Sequence, residues 1–440
     1  MRYFFVGIGG VSMSALAKLL LAAGHKVSGS DAVASVNTKE LTAMGIPVYI
    51  GHSAEHIKGI DRLVINGAIT DDNPELRQAQ ADGIKIVYRE QVLAAVARRY
   101  QQVLAVAGCH GKSSTTAMLG AIFQAAGQDP TVHNGAKDNL HLGGRQFFIT
   151  EACEFRRSFL KLKPTVALIT NVDADHLDCY KNLDDIKRTF AKFAAKADIV
   201  IKNATDPNSA GLRGKKQTVT FGLHYGDVHA VGLRSLPSGG YAFAVAVNPA
   251  VFGTYCQTLT LRLCVPGLHN VTNALAAVAC ALVYQLPFAS IQKALAEFHG
   301  VARRFEQLGR IGQTPLILDY AHHPREIATT LQTASTLYPR YLLVFQPHTY
   351  TRTVALWDDF VAVLGQVKNL VLYKTYAARG KVIVGGRALD LSRHLKAKYF
   401  ADTDKLKKYL TEQAPNYDAI ILCGAGDVVN GEFLQDILQW

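Results

Sequence analysis

A glycine-rich loop between a buried strand and a helix constrains the fold of this chain most strongly. Residues 102–107 predict an apolar strand, residues 108–114 run Gly-Cys-His-Gly-Lys-Ser-Ser, and a helix-forming segment follows. Such a unit points backbone N–H groups and the positive end of a helix dipole at a phosphate. Lys112 would add a positive charge and the Ser113 hydroxyl a ligand for magnesium. The full motif requires glycine at position 106, where this chain has Val106, so a simple glycine-rich turn remains an alternative.

Two further predicted strands end in acidic side chains. Glu151 and Glu154 follow one apolar stretch, and three aspartates with His176 follow the next. Ligands of open α/β sheets bind beyond the carboxyl ends of parallel strands, so we expect Glu151 and His176 beside the phosphate loop. Oxygen ligands suit Mg²⁺, which takes one or two carboxylates together with phosphate oxygens. The acidic residues that better fit a solvated loop or a helix cap are Asp178 and Asp184.

Composition narrows the class of protein. Of 440 residues, 49% are hydrophobic and 19% charged, which is enough for ordinary globular cores and, by length, about three domains. The seven cysteines are odd in number and form no C-x-x-C pair, which argues against a disulfide framework and a zinc site. The longest apolar run, residues 274–284, is too short to span a bilayer, and no signal-peptide pattern opens the chain. We expect a cytoplasmic enzyme without membrane insertion.

The net charge of +12 favours anionic ligands. Basic residues are spread along the sequence, without an RNA-binding aromatic motif or a long Lys/Arg block, so no nucleic-acid partner is expected. The excess of positive charge suits the binding of nucleotide and sugar-nucleotide phosphates, although most of these charges are accounted for as ordinary solvated surface residues.

The first segment resembles a dinucleotide-binding fingerprint. A strand at residues 2–6 is followed by a glycine loop at residues 7–13 and a helix, and a second strand ends at Asp31. Ser12 replaces the third glycine of G-x-G-x-x-G, which disfavours a nicotinamide or flavin site. The glycines and the helix N-terminus suit the diphosphate of another nucleotide equally well, and Asp31 either binds there or caps a turn.

Ten ordered blocks of sequence carry a resemblance to a known family. They lie at residues 7–17, 29–31, 108–114, 151–160, 171–178, 266–277, 300–306, 319–324, 345–353 and 424–428. With these blocks in this order, the chain resembles the Mur ligases over essentially its whole length.

The resemblance implies a three-domain α/β fold of the Mur ligase type. Residues 1–97 would form a Rossmann-like domain that binds a UDP-sugar, and residues 98–305 a central P-loop ATPase-like α/β domain. Residues 306–440 would form a Rossmann-like domain that closes over the amino acid. In that last segment, buried strands are predicted at residues 316–320, 341–345, 369–373 and 419–423.

The resemblance also implies a reaction. The blocks match the branch of the family that joins L-alanine to the carboxylate of UDP-N-acetylmuramate. ATP first converts the carboxylate to an acyl phosphate, and the amino group of alanine then displaces phosphate. Such chemistry depends on positioning and charge neutralisation more than on covalent catalysis by the protein.

Site residues follow from the same resemblance. The catalytic residues would be Lys112, Glu151, His176 and Arg304. The Mg²⁺ ligands would be Ser113, Glu151 and His176. The residues that bind ATP would be Gly108, Cys109, His110, Gly111, Lys112, Ser113, Ser114, His269, Asn270, Asn273, Arg304 and Asp319. The residues that bind the other substrates would be Gly9, Gly10, Ser12, Met13, Asp31, His322, His348, Tyr350 and Arg352.

Some of these assignments have a structural alternative. Asn270 could cap a helix, His322 could be solvent-exposed, and either Arg303 or Arg304 could be a surface charge. Two residues depart from the family pattern. Many members have arginine in place of Thr349, which leaves the amino-acid selectivity open. Cys109 replaces a threonine, and a thiol beside a helix N-terminus is expected to be prone to oxidation.

Three other functions remain open from the sequence. The first is a ligase that attaches a preformed peptide to the same sugar nucleotide. The second is a nicotinamide oxidoreductase, suggested by the first glycine loop but disfavoured by Ser12. The third is a nucleotide-binding regulatory module, disfavoured by the presence of Lys112, Glu151 and His176. Oligomeric partners are not predicted.

Overall fold

A computed structural model describes residues 1–136, 139–176, 179–237, 239–253, 259–378, 381–429 and 432–438. These residues form two compact units. The first unit comprises Met1–Arg234, Ala242–Leu263 and Val271–Phe298. The second comprises Ser235–Tyr241, Cys264–Asn270 and the described residues from His299 onward. The domain boundaries after residues 97 and 305 stay a prediction.

The first unit opens with a parallel five-stranded sheet. Its strands are β1 (Arg2–Val6), β2 (Lys26–Asp31), β3 (Val48–Ile50), β4 (Arg62–Ile65) and β5 (Lys85–Tyr88). Its helices are α1 (Val11–Ala22), α2 (Val36–Ala43), α3 (Pro74–Ala81) and α4 (Arg89–Ala97), with a 3-10 turn at Ala54–Ile57. The strand order is β3-β2-β1-β4-β5. Successive strands are added on one side of β1 up to β3 and on its other side from β4, so the topological switch point lies between β1 and β4. The glycine loop after β1 therefore lies at the point where such sheets bind ligands.

The second sheet of this unit has ten strands. They are β6 (Gln102–Ala107), β7 (Thr131–His133), β8 (Leu140–His141), β9 (Phe147–Glu151), β10 (Val166–Ile169), β11 (Ile199–Asn203), β12 (Gln217–Gly222), β13 (Val228–Ser235), β14 (Tyr241–Val247) and β15 (Leu259–Leu263). The order is β15-β14-β13-β12-β11-β10-β6-β9-β7-β8. Strand β6 lies between β9 and β10 and is parallel to both, so the carboxyl ends of all three meet at one edge. This confirms the predicted convergence of the phosphate loop and the two acidic strand ends.

Helices surround the second sheet. They are α5 (Lys112–Ala125), α6 (Leu183–Ala194), α7 (Pro249–Phe252), α8 (Leu268–Val283) and α9 (Phe288–Ala296), with 3-10 segments at Phe155–Lys161 and Pro207–Ser209. One hydrophobic core joins the two sheets of the unit: Leu16 of α1 and Leu93 of α4 belong to the same buried cluster as Phe148 of β9. The first sheet is thus anchored on the second through α1 and α4.

The second unit is built on a six-stranded sheet. Its strands are β16 (Glu306–Ile311), β17 (Thr314–Asp319), β18 (Tyr341–Gln346), β19 (Leu370–Tyr373), β20 (Lys398–Phe400) and β21 (Ala419–Gly424). Its helices are α10 (Pro324–Leu337), α11 (Tyr350–Ala355), α12 (Trp357–Leu364), α13 (Ala388–Leu395), α14 (Thr403–Gln413) and α15 (Glu432–Ile437), with 3-10 turns at Ala414–Asn416 and Asp427–Val429. The order is β16-β17-β21-β18-β19-β20, and only the β16–β17 pair is antiparallel.

The buried strand runs predicted in this segment are confirmed as β17, β18, β19 and β21. Separate hydrophobic clusters cover the two faces of the sheet, as expected for parallel strands with helices on both sides. Among the described residues, no helix combines the length and apolar character that crossing a bilayer requires.

Candidate functional site

The phosphate loop connects β6 to α5 through residues whose conformation requires glycine. Gly108 has φ 135° and Gly111 has φ 83°, both in the region that L-residues rarely adopt. A Cβ on Gly108 would lie 2.1 Å from Thr170 Oγ1, and one on Gly111 would lie 2.5 Å from Asn273 Oδ1. The loop is therefore shaped by close packing as well as by backbone conformation, and Asn273 lies against it.

The end of β10 holds this loop in place. Thr170 Oγ1 donates a hydrogen bond to the His110 carbonyl at 2.6 Å. The Asn171 amide donates to the same carbonyl and accepts from His110 N, both at 2.9 Å. The backbone N–H and carbonyl of His110 are thus both paired with the end of β10, which fixes this part of the loop.

Cys109 is part of the same contact. Its Sγ accepts a hydrogen bond from Asp173 N at 3.1 Å, and the side chain is buried. Burial, reinforced by the Glu154 carboxylate, raises the pKa of the Cys109 thiol well above its ordinary value. The thiolate is the oxidisable form, so the burial and the raised pKa of Cys109 argue against the expected oxidation.

Lys112, the first residue of α5, is folded back onto the loop. Its Nζ donates to the carbonyls of Gly108 and Cys109 and lies 3.2 Å from Glu154 Oε1. Burial lowers the pKa of Lys112, but nearby negative groups, Glu154 first, raise it, and the net pKa lies above the ordinary lysine value. Lys112 is therefore a permanent cation at the start of the helix.

Glu154 is the buried carboxylate at the centre of this site. It is 1% exposed, and its Oε1 lies 3.4 Å from His176 Nε2 as well as beside Lys112. Burial acts to raise the pKa of Glu154, whereas Lys112 and His176 lower it, and the net pKa lies below the ordinary value. The second oxygen, Oε2, is buried and has no hydrogen-bond partner among the described residues.

His176 completes a cluster of possible metal ligands. Side-chain atoms of Glu154, Asp175 and His176 all lie within 4.8 Å of one another. His176 has φ 54°, an unusual conformation for a non-glycine residue that is typical of functional sites. Its ring packs against Phe155 at a centroid distance of 5.0 Å. The arrangement places two carboxylates and an imidazole beside the phosphate loop.

The other two predicted metal ligands are placed differently. Ser113 lies buried in the first turn of α5, directly after Lys112. Glu151 ends β9, and its Oε1 accepts a hydrogen bond from Gly135 N at 2.6 Å. Glu151 thus lies at the predicted sheet edge but contacts the β7–β8 connection, whereas Glu154 contacts Lys112 and His176. Asp184 is in the exposed first turn of α6, and Asp178 lies outside the described residues.

The glycine loop of the first sheet is closed by Asp31. Gly9 N donates to Asp31 Oδ2 at 2.9 Å, and Asn37 Nδ2 donates to the Gly9 carbonyl at 2.7 Å. Gly10 precedes the first residue of α1 and serves as its N-cap. The Met13 side chain is 2% exposed and belongs to the core, so it presents no side-chain surface to a ligand.

The start of α8 contains the predicted base-binding residues. The helix begins at Leu268, so Asn270 lies in its first turn rather than at its cap, and its Nδ2 donates to the Pro266 carbonyl at 2.7 Å. His269 is held neutral: burial, followed by the charge of Arg304, lowers its pKa to about 4.

In the second unit, two arginines share one aromatic ring. The guanidinium carbons of Arg303 and Arg304 lie 4.9 and 5.5 Å from the centroid of the Tyr320 ring. Asp319, at the end of β17, accepts hydrogen bonds from Ala321 N at 2.8 Å and Phe305 N at 3.2 Å. Burial raises the pKa of Asp319 to about 6.

A second group of the same unit gathers the predicted amino-acid residues. The rings of His322 and His348 lie 5.6 Å apart, and His348 stacks on Tyr376 at 5.5 Å. Arg352 Nη1 lies 3.2 Å from His348 Nδ1. Because a guanidinium only donates, Nδ1 accepts and the proton of neutral His348 resides on Nε2. Burial, then His322 and Arg352, lower the pKa of His348 to about 4.

Thr349 and Tyr350 open the helix that carries Arg352. Thr349 is the N-cap of α11, with φ 67°, and its Oγ1 accepts from Arg352 N at 3.4 Å. Tyr350 is the first residue of the helix. Thr349 therefore holds the turn that positions Arg352.

Models of one protein family match three successive stretches of the chain. "Mur ligase family, catalytic domain" matches residues 2–101, "Mur ligase middle domain" residues 106–281, and "Mur ligase, glutamate ligase domain" residues 303–426. The chain belongs to the Mur ligase family. The predicted three-domain α/β fold class is thereby confirmed.

Curated relatives of this Mur ligase match over nearly the whole chain. A UDP-N-acetylmuramate–L-alanine ligase from Clostridium tetani is 38% identical over 444 residues, covering 97% of this chain and 96% of that protein. One from Clostridium perfringens shows the same identity and coverage.

Solved structures agree with this placement. A UDP-N-acetylmuramate-alanine ligase from Thermotoga maritima has a TM-score of 0.84 at 29% identity, covering 100% of this chain and 98% of that one. A murein peptide ligase from Psychrobacter arcticus has a TM-score of 0.75 at 23% identity, covering 100% and 99%, a likeness that shows the fold alone.

Several residues of this candidate site were not predicted from the sequence. Glu154 was noted as one of two carboxylates after β9, but its pairing with Lys112 depends on how the chain turns beyond the strand. Asp175 was visible only as one acid among several. Tyr376 comes from a connection that no motif singled out, and it stacks on His348.

Proposed function

We infer that this protein is an ATP-dependent carboxylate–amine ligase that joins L-alanine to the carboxylate of UDP-N-acetylmuramate, a step of peptidoglycan precursor synthesis. The observation that carries this conclusion is the contact of Lys112 and His176 with the buried Glu154 carboxylate beside a glycine-rich loop. The chain also matches curated L-alanine ligases along nearly its entire length. The activity requires a nucleotide, so we propose a cytoplasmic location.

In the proposed reaction, ATP phosphates bind at the N-terminus of α5. The backbone of residues 108–114 would cradle them, and Lys112 would leave the loop carbonyls to neutralise the charge that moves with the γ-phosphoryl group. The carboxylate oxygen of the sugar nucleotide attacks the γ-phosphorus and releases ADP. The alanine nitrogen then attacks the acyl carbon, and phosphate leaves. The predicted contacts of His269, Asn270, Asn273, Arg304 and Asp319 with ATP remain proposals.

We propose that the ligase uses Mg²⁺. The unpartnered, buried Glu154 Oε2 beside Asp175 and His176 fits a cation that prefers oxygen ligands. Ser113 and Glu151 remain the predicted ligands on the phosphate-loop side. When bound, the ion would neutralise charge on the phosphoryl oxygens.

The amino-acid site is proposed at His348 and Arg352. Arg352 carries the positive charge and is held by its 3.2 Å contact with the neutral His348, and its guanidinium fork matches a carboxylate. His322 and Tyr350 would line the same site. For the first substrate, we propose that Gly9, Gly10, Ser12 and Asp31 bind the UDP-sugar, with Met13 contributing only its backbone.

Phosphate release from ATP tests the proposal. The assay contains UDP-N-acetylmuramate and one compound at a time from a panel of L-alanine, glycine, L-serine, L-glutamate and a tripeptide. L-Alanine should give the highest rate, and omission of the sugar nucleotide should abolish release. A faster tripeptide would favour the peptide-attaching ligase, and NADH oxidation without ATP would favour an oxidoreductase. Nucleotide binding without turnover under any combination would indicate a regulatory module.

A further inference from the structure

His133 connects the two sheets of the first unit. It ends β7 in the hairpin at the edge of the second sheet, and it is 3% exposed. Its Nδ1 lies 2.9 Å from Thr150 Oγ1, one residue before Glu151. Its Nε2 lies 3.3 Å from Ser12 Oγ, in the glycine loop of the first sheet. The imidazole thus bridges the loop proposed to bind the UDP-sugar and an acidic strand end.

The partners of these two hydroxyls set the direction of the hydrogen bonds. Arg89 Nη1 donates to Ser12 Oγ at 3.3 Å, and Thr150 Oγ1 donates to the Glu151 carbonyl at 3.0 Å. Each hydroxyl has one proton. The Thr150 proton is used for the Glu151 carbonyl, so Thr150 accepts from His133 Nδ1–H. The Nε2 of the neutral ring then accepts the proton of Ser12. The series of hydrogen bonds therefore runs in one direction, from Arg89 to the Glu151 carbonyl, and every hydroxyl proton in it is used.

The imidazole remains neutral in this position. Burial, followed by the charge of Arg89, lowers the pKa of His133 to about 3. A protonated ring would present a second N–H to a hydroxyl that already receives a donor from Arg89. Over the pH range of a cytoplasmic enzyme, His133 consequently stays neutral and the direction of these hydrogen bonds does not change.

The same hairpin forms hydrogen bonds with α1 at a second point. Asn139 Nδ2 donates to the Val11 carbonyl at 2.7 Å and to Ser14 Oγ at 2.8 Å, and Asn139 is 2% exposed. The first turn of α1 is therefore fixed by two buried side chains of the second sheet. Its own N-cap, Gly10, provides no side chain to do so.

Arg89 is the charged residue in this series of hydrogen bonds. Its Nη1 donates to Ser12 Oγ, and its Nη2 lies 3.5 Å from Ser158 Oγ, which donates to the Cys153 carbonyl at 2.7 Å. A guanidinium held at two nitrogens has a fixed plane. Its position beside the N-terminus of α1 adds positive charge where the helix dipole already favours an anion.

We propose that His133 is a positioning residue for the sugar nucleotide: it fixes the Ser12 hydroxyl and, through it, the guanidinium of Arg89 at the start of α1. The proposal rests on the proposed function, because it takes the Ser12 loop as the binding site of the UDP-sugar. His133 itself touches no reacting atom. Its loss should weaken sugar-nucleotide binding and leave ATP use intact.

The test compares three variants with the wild-type enzyme. His133→Ala removes both hydrogen bonds, His133→Gln retains an acceptor for the Ser12 hydroxyl, and His141→Ala is the control on the exposed end of the same hairpin. The KM for UDP-N-acetylmuramate should rise about tenfold in His133→Ala, the equivalent of one lost hydrogen bond. His133→Gln should recover most of that rise. The KM for ATP and all constants of His141→Ala should match the wild type.

Three outcomes would overturn the proposal. The first is an unchanged sugar-nucleotide KM in His133→Ala. The second is a fall in kcat and in the thermal midpoint with both KM values unchanged, which indicates a purely structural role. The third is an Nε2-protonated ring, which ¹⁵N-histidine NMR would identify by the resonance missing in His133→Gln. Failure of the proposed function is distinct, since wild-type enzyme would then neither bind UDP-N-acetylmuramate in calorimetry nor release phosphate with it.

Discussion

Lys112 Nζ and Glu154 Oε1 lie 3.2 Å apart beneath the phosphate loop, and the same carboxylate oxygen lies 3.4 Å from His176 Nε2. The carboxylate thus contacts a lysine and a histidine that follow two different strands, β6 and β10. It keeps Lys112 folded onto the carbonyls of Gly108 and Cys109. A bound phosphate would compete with Glu154 for the ammonium group, so occupation of the loop and rearrangement of this pair are linked.

Lys112→Ala should remove most of the turnover. The ammonium group is proposed to neutralise charge that develops in phosphoryl transfer, and such contacts are worth about 100-fold or more. Calorimetry should give the wild-type affinity for UDP-N-acetylmuramate, because the glycine loop of the first sheet is unaltered. Lys58→Ala, at a side chain that is 75% exposed, is the control. Retention of more than about a tenth of the activity would exclude this role for Lys112.

Glu154→Gln should lower both stability and activity. The substitution leaves the Lys112 ammonium, whose side chain is only 15% exposed, without its counter-charge. Breaking such a pair by removing one partner costs about 3 kcal/mol or more. Urea unfolding should show this loss in the free energy of unfolding, whereas Glu55→Gln, at a side chain that is 71% exposed, should unfold like the wild type. Equal midpoints for Glu154→Gln and the wild type would show that Lys112 does not depend on the carboxylate.

The parts of the site that follow strand periodicity were predictable from the sequence. The phosphate loop, the acidic ends of β9 and β10, and the buried strands of the second unit depend on local patterns, and the structure contains each of them. The choice between Glu151 and Glu154 was not predictable in this way. Residues 155–161 form a 3-10 segment with Arg156 at φ 50°, and this turn decides which carboxylate reaches Lys112.

Contacts between residues far apart in the sequence were not predictable either. His133 appears in the sequence as an isolated histidine, and its role depends on Ser12, which lies 121 residues away. Burial of Cys109 was also missed, because the Asp173 backbone that covers it belongs to another strand end. Pairings of this kind depend on the tertiary fold, which motif spacing does not encode.

Asp319 should make the stability depend on pH. Its folded-state pKa, raised to about 6, exceeds the ordinary unfolded value of about 3.9, so the folded protein binds more protons between these values. The stabilisation is complete below about pH 4 and is lost as the pH rises through 6, by about 2–3 kcal/mol. Wild-type protein should lose this much relative to Asp319→Asn between pH 4 and pH 7.5 in urea unfolding. Asp404→Asn, at a side chain that is 90% exposed, should follow the wild type, and parallel curves for wild type and Asp319→Asn would contradict the shift.

Chelation should abolish ligation reversibly. Mg²⁺ is proposed to bind at Glu154, Asp175 and His176 together with the phosphate-loop residues, and the oxygen ligands disfavour zinc. EDTA should stop phosphate release, excess Mg²⁺ should restore it, and elemental analysis should find no stoichiometric zinc. His176→Asn should raise the Mg²⁺ concentration required for half-maximal rate, with His299→Asn, an exposed histidine of the second unit, as the control. Full activity in EDTA would rule out the metal site.

Arg352 should determine the affinity for the amino acid. Its guanidinium lies 3.2 Å from His348 Nδ1 and is presented by a helix whose first turn is held by Thr349. Loss of the bidentate contact with the alanine carboxylate in Arg352→Ala should raise the alanine KM by about 100-fold or more, since each of the two bonds between charged groups contributes about 1.5–3 kcal/mol. The ATP KM should be unchanged, and the exposed Arg393→Ala should behave as the wild type. Glycine and L-serine should be slow substrates of the wild-type enzyme, because a missing methyl group distinguishes substrates only about 10- to 200-fold and an added hydroxyl only about 100-fold. If L-glutamate or a tripeptide outcompeted L-alanine in the same assay, the alanine assignment would be wrong and the ligase assignment would stand.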